Sequence, residues 1–250
     1  MRSVTEKLTD KGLKPLARIL LIEIMTTVLF WDIDGTLLNT GRAGIFALED
    51  AASEIIGEKV DLSDLPTAGM TDRGIAADIF NKYGVTPDTE KIDRLLQLYG
   101  ELLPASLPRK QGYVLPGVLE ILQELEKRTD VLSLLLTGNI EAGAKAKLTY
   151  YGLDGYFRGG GFSDVGADRK AIARSALTLA EGMLGAIAPE KTYVIGDTPH
   201  DIHCGKAINA RVVAVASGSY QLEELAEHEP WLSLPFLPEP GEFMAKIGLF

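Results

Sequence analysis

The chain contains one cysteine, Cys204, so no internal disulfide can form and a reducing compartment, the cytoplasm, is expected. It has no basic surplus either: 25 lysines and arginines stand against 35 aspartates and glutamates, a formal charge of −10. A nucleic-acid partner is therefore not expected, because its phosphates would require a basic face. By the same reasoning, an anionic substrate would need local cations or a metal ion. The apolar stretch 19–25 is too short to cross a membrane, and no membrane partner is expected. Glu23 interrupts that stretch and no small-residue cleavage site follows, so a signal peptide is not expected. The three histidines, His200, His203 and His228, have no metal-cluster spacing and read as surface residues. No internal repeat or low-complexity tract is present.

What stands out is Asp32-Ile33-Asp34-Gly35-Thr36, directly after the uncharged run Thr27-Val28-Leu29-Phe30-Trp31. The run is β-branched and aromatic and reads as a strand buried on both faces. Side chains two residues apart on an extended segment point the same way, so both carboxylates aim into one site. Asp-x-Asp-Gly is also ordinary turn chemistry. A calcium loop is ruled out, because no further run of oxygen ligands ending in Glu follows.

Beyond this strand the period becomes helical over 41–56, 73–83 and 89–103. No strand is expected before Val131, so 40–113 reads as a helical insert, a lid or second domain. An α/β rhythm resumes at Pro116. Helices are expected over 117–127, 141–151, 170–183 and 202–209, and strands over 131–136, 156–158, 191–195 and 211–216. That alternation implies a Rossmann-like parallel sheet flanked by helices. The core would comprise 27–39 and 114–250, with the tail from Pro230 wrapping the surface. Residues 1–26 read as an amphipathic extension, with Lys7, Lys11, Lys14 and Arg18 at helical spacing.

Three strand ends thus carry polar clusters: Asp32 with Asp34, Thr137-Gly138-Asn139, and Asp197 with Asp201. Here the sequence resembles the haloacid dehalogenase-like hydrolase superfamily from about Thr27 to Gly218. Asp32 to Thr36 matches the first motif, Thr137 the second, and Gly196, Asp197 and Asp201 the fourth. The helical insert resembles that superfamily's cap, and the whole resembles its phosphoglycolate phosphatase-like branch. The resemblance implies Asp32 as nucleophile and Asp34 as the acid and base. It also implies Mg2+ held by Asp32, Asp34 through its carbonyl, and Asp197, with Asp201 acting through water or orienting the others. Thr137, Gly138 and Asn139 would meet the phosphate, a simple helix cap being the lesser alternative for Thr137. The third motif lacks the usual Lys-Pro and offers Arg169 and Lys170, of which Arg169 lies nearer the helix start. In the insert, Gly69-Met70-Thr71-Asp72-Arg73 resembles the substrate-specificity loop of helical caps, with Thr71 and Arg73 as candidate substrate contacts. The alternative is a glycine-containing turn with Thr71 or Asp72 as helix cap.

The expected activity is hydrolysis of a small phosphorylated metabolite by a Mg2+-dependent phosphatase. The alternatives are a phosphomutase with the same aspartate pair and a sensor that binds phosphate without turnover. A phosphonate hydrolase would need a Schiff-base lysine in the insert, where Lys59, Lys82 and Lys91 occur.

Overall fold

The structure, a computed structural model, describes residues 26–249. The N-terminal extension expected over 1–26 lies, apart from Thr26, outside the described residues. Six parallel strands form the central sheet: β1 (Thr27–Trp31), β4 (Val131–Leu136), β5 (Gly160–Gly161), β6 (Thr192–Gly196), β7 (Arg211–Val215) and β8 (Leu232–Leu234). Their order is β5-β4-β1-β6-β7-β8, so β1 lies between β4 and β6 and the chain winds outward in both directions. The crevice at the carboxyl ends of β4, β1 and β6 is where such a sheet collects ligands.

Every residue of β1 is buried, and its alternation serves two cores. Leu29 and Trp31 pack with Val118, Ile121 and Leu122 of helix α4 (Val118–Glu126) on one face of the sheet. Val28 and Phe30 pack with Ile172, Ala173 and Ala176 of helix α6 (Arg169–Leu184) on the other. The remaining core helices are α5 (Glu141–Tyr150), α7 (Pro199–Ala207), α8 (Leu222–Ala226) and α9 (Pro240–Lys246).

Between β1 and β4 a short antiparallel pair, β2 (Leu38–Asn39) and β3 (Tyr113–Val114), carries the chain out and back. These strands were not expected before Val131. They are two residues each, too short for any period to register. The insert between them holds α1 (Ala43–Ile56), α2 (Asp72–Lys82) and α3 (Thr89–Ser106) around its own apolar cluster. Ala43, Ala47 and Ala51 recur every fourth residue, a small-residue stripe that lets α1 pack closely with Leu95, Tyr99 and Leu103 of α3.

The tail departs from expectation. Residues 232–234 add an edge strand to the sheet, and α9 buries Phe243 against Trp31 with ring centroids 5.8 Å apart. The strand expected near 156–158 lies instead at Gly160–Gly161, and the helix expected from 202 begins at Pro199.

Candidate active site

Backbone geometry at the end of β1 aims the two aspartates. The Asp32 N–H donates to the Ile195 carbonyl at 3.0 Å, continuing the ladder with β6. The Ile33 carbonyl then accepts from Leu37 and Leu38, both at 2.9 Å, and the chain turns at Gly35 with φ of 86°. A side chain there would meet more than backbone strain, since a Cβ would lie 2.4 Å from Asp197 Oδ2. Asp197, at the end of β6, accepts from Thr36 Oγ1 at 3.0 Å, which ties the first strand end to the third.

Asp32, Asp197 and Asp201 are all buried, and one carboxylate oxygen from each lies within 4.8 Å of the others. Such crowding resists full ionisation. Burial, followed by repulsion from Asp201, pushes the Asp32 carboxyl up to about 8, while Arg169 and the Thr137 hydroxyl pull the other way. Asp197 is also raised, by burial first and then by Asp201 and Asp32. A divalent cation relieves that repulsion, and an all-oxygen donor set suits a hard ion. Asp201 faces two ways. Its Oδ2 accepts from the Thr198 N–H at 3.1 Å and Oγ1 at 2.6 Å in a capping box that starts α7. Its Oδ1 is buried without a hydrogen bond, 3.2 Å from Arg169 Nη2. The cluster therefore fits a metal ion.

The two cations of the third motif separate clearly. Arg169 lines the cavity, its Nε donates to the Gly69 carbonyl at 3.1 Å, and its Nη1 is buried with no hydrogen-bond partner. Lys170 is exposed and does not line the cavity. One residue along the helix start turns a side chain by about 100°, so only one of the adjacent pair can face inward. Asp168 accepts from the Lys170 N–H at 2.9 Å and caps α6.

At the end of β4, Thr137 is fully buried and its Oγ1 accepts from Asn139 Nδ2 at 2.8 Å. The Asn139 amide also donates to Asp34 Oδ2 at 2.8 Å, so this residue touches the second aspartate. Gly138 is pressed against the insert: its carbonyl accepts from the Asp72 N–H at 2.7 Å, and a Cβ would lie 2.4 Å from the Met70 carbonyl oxygen.

Asp32, Asp34, Thr137, Gly138, Asn139, Arg169 and Asp197 all line one cavity of about 390 Å3. From the insert it receives Ile45, Leu48, Met70, Asp72, Ile75 and Tyr99. Two expected contacts lie elsewhere. Thr71 accepts from the Gly74 N–H at 3.1 Å as the N-cap of α2 and does not line the cavity. Arg73 is drawn off by Asp93 of α3, to which its Nη1 donates at 2.7 Å, and lines a separate cleft with Ile140 and Asp164.

Two further residues are brought in: Asp72, which the sequence offered only within the 69–73 loop as a contact or helix cap, and Lys147, which it did not mark. Asp72 is buried, and its Oδ2 accepts from the Ile140 N–H at 2.8 Å, joining the insert to the start of α5. Burial pushes its carboxyl up to about 6, against the pull of Lys147 and the Ile140 N–H. Lys147 is only 4% exposed, and its Nζ donates to Asp34 Oδ2 and Asn139 Oδ1, both at 2.5 Å. One signal was available for it: Gly143, Ala144, Lys147 and Leu148 form the buried face of α5, and a lysine on such a face needs a partner.

Residues 28–215 match the family described as haloacid dehalogenase-like hydrolase. The chain belongs to this family. Among its relatives, "Probable phosphatase IndB" of Dickeya dadantii (strain 3937) is 29% identical over 215 residues, covering 82% of this chain and 88% of that protein. Solved structures of similar fold include a hydrolase from Pseudomonas syringae, with TM-score 0.65 and 21% identity over 89% of this chain and 98% of that one. CbbY from Rhodobacter sphaeroides, in complex with phosphate, gives TM-score 0.66 at 17% identity over 84% and 93%.

Proposed function

We propose that the protein is a Mg2+-dependent phosphatase that hydrolyses a small phosphomonoester through an aspartyl-phosphate on Asp32, in the manner of phosphoglycolate phosphatases. The observation that carries this reading is Asp34, which opens into the same cavity as the buried Asp32. A leaving alkoxide needs a proton, and a second carboxyl beside the nucleophile is placed to supply it.

The step balances on this chain's own groups. A carboxylate oxygen of Asp32 bonds to phosphorus as the ester P–O bond breaks, and the departing oxygen takes the proton of Asp34. Water then attacks the same phosphorus and gives a proton to Asp34, and Asp32 leaves as carboxylate with release of inorganic phosphate. The buried, unpartnered Nη1 of Arg169 is suited to donate a hydrogen bond to a phosphate oxygen, as is the Thr137 hydroxyl. Asp32, Asp197 and the Asp34 carbonyl would hold Mg2+, with Asp201 behind them, and the ion would supply charge neutralisation between carboxylate and phosphate. We assign 40–113 as a cap over a core of 27–39 and 114–250, with Met70, Asp72 and Tyr99 closing the cavity from the cap side. Lys82 and Lys91 pair with Asp64 and Asp88 and do not line the cavity, so a phosphonate-cleaving reading has no support from them. The lone buried Cys204 suits a reducing cytoplasm.

A phosphate-release screen over phosphoglycolate, sugar phosphates and nucleotides tests the reading. Turnover should require Mg2+, stop with chelator and be absent in Asp32→Asn. Transfer of the phosphoryl group to a sugar phosphate would mean a mutase, and binding without turnover a sensor.

A further inference from the structure

Lys147 has no part in the chemistry so far, yet it is the one lysine lining the cavity among the described residues. Its ammonium has three protons to donate and can accept nothing. Two of its hydrogen bonds go to Asp34 Oδ2 and Asn139 Oδ1, both at 2.5 Å. Asn139 closes the triangle, its Nδ2 donating to the same Asp34 Oδ2 at 2.8 Å.

This triangle has a direction. Because a lysine only donates, the Asn139 oxygen must face it, which leaves the Asn139 NH2 to face Asp34 and Thr137. Both donors converge on Oδ2 of Asp34, while Oδ1 accepts no hydrogen bond among the described residues. A proton on Oδ2 would collide with two N–H groups. The proton that Asp34 gives up therefore belongs on Oδ1.

We infer that Lys147 is a positioning residue for the proton transfer: by locking the Asn139 amide and occupying Asp34 Oδ2, it makes Asp34 Oδ1 the oxygen that protonates the leaving group. This rests on the phosphatase reading above. Local sequence favours the arrangement. Gly143 and Ala144 are small neighbours on the same buried face of α5. At Gly143 a Cβ would press on the Tyr99 ring at 3.3 Å, so this face of α5 packs closely against α3.

The test is the dependence on leaving group. p-Nitrophenolate departs without a proton, whereas an alkoxide requires one. In Lys147→Met, kcat/KM for an alkyl phosphomonoester, glycerol phosphate or an alkyl ester found in the screen, should fall at least about tenfold more than for p-nitrophenyl phosphate. Equal losses on the two substrates in a folded variant would overturn the inference while leaving the phosphatase reading intact. If Lys147→Met does not fold by circular dichroism, Lys147→Gln is read by the same ratio; if neither folds, the role is structural and the inference fails. No phosphate release by the wild type from either ester would sink the phosphatase reading first, and the inference with it.

Discussion

Asp72 shows how a buried carboxyl can serve docking at a cost in stability. Its carboxyl, ordinarily near 3.8, is pushed up to about 6 in the folded protein. Below pH 4 both folded and unfolded forms carry the proton, so the group is neutral to stability. Between about pH 4 and 6 the unfolded chain ionises Asp72 while the fold resists, and stability falls as pH rises. Above pH 6 the penalty is complete, at about 3 kcal/mol before compensation by relaxation. Asp72→Asn keeps an acceptor for the Ile140 N–H and removes the ionisation. Denaturant titrations of wild type and variant should therefore converge near pH 4 and separate by pH 6.5, with the variant more stable. Parallel curves across that range would mean that Asp72 is not strained by burial.

At the level of elements, the contact of α2 with the β4–α5 turn sets the geometry of the cavity. Gly138 sits under Met70 and Thr71, where a Cβ would come within 2.4 Å of the Met70 carbonyl oxygen and 3.1 Å of Thr71 Cα. Backbone cannot yield as a flexible side chain can, so Gly138→Ala should lift the insert. The expected result is a raised KM and a kcat lowered by about tenfold or more, with the thermal melt little changed. Unaltered kinetics would show that this seam does not govern the site. The strand-end residues were legible in sequence because Asp32, Thr137 and Asp197 each follow a run of buried apolar residues. Arg169 could be singled out only by its position at the helix start. Lys147 was not legible as a site residue, because its partner Asp34 lies 113 positions away in the chain. Asp72 was legible only as part of the 69–73 loop, its partner at Ile140 lying 68 positions away. Residues 232–234 were hidden for a different reason: a three-residue edge strand between prolines shows no period. Gly160–Gly161 carries no side-chain signal at all, yet its glycines are needed, since a Cβ on Gly160 would lie 2.6 Å from Leu135 Cβ.

For the whole molecule, the buried carboxylates of Asp32, Asp197 and Asp201 strain the fold wherever no cation balances them. Binding that favours the folded state stabilises it by mass action, by about 3 kcal/mol at a hundredfold excess over Kd. Mg2+ should therefore raise the melting temperature of the wild type, chelator should reverse the rise, and Asp197→Asn should respond weakly. An equal response in wild type and variant would place the ion elsewhere. Net charge alone would attract cations without site preference, so the variant is the informative arm. The central claim, however, is covalent. Acid-quenching the enzyme during turnover with Mg2+ and an active phosphomonoester, followed by peptide mass spectrometry, tests it directly. The account predicts one added phosphoryl group on the peptide containing Asp32, absent from Asp32→Asn. Phosphate release without that adduct, or an adduct on another residue, would contradict it.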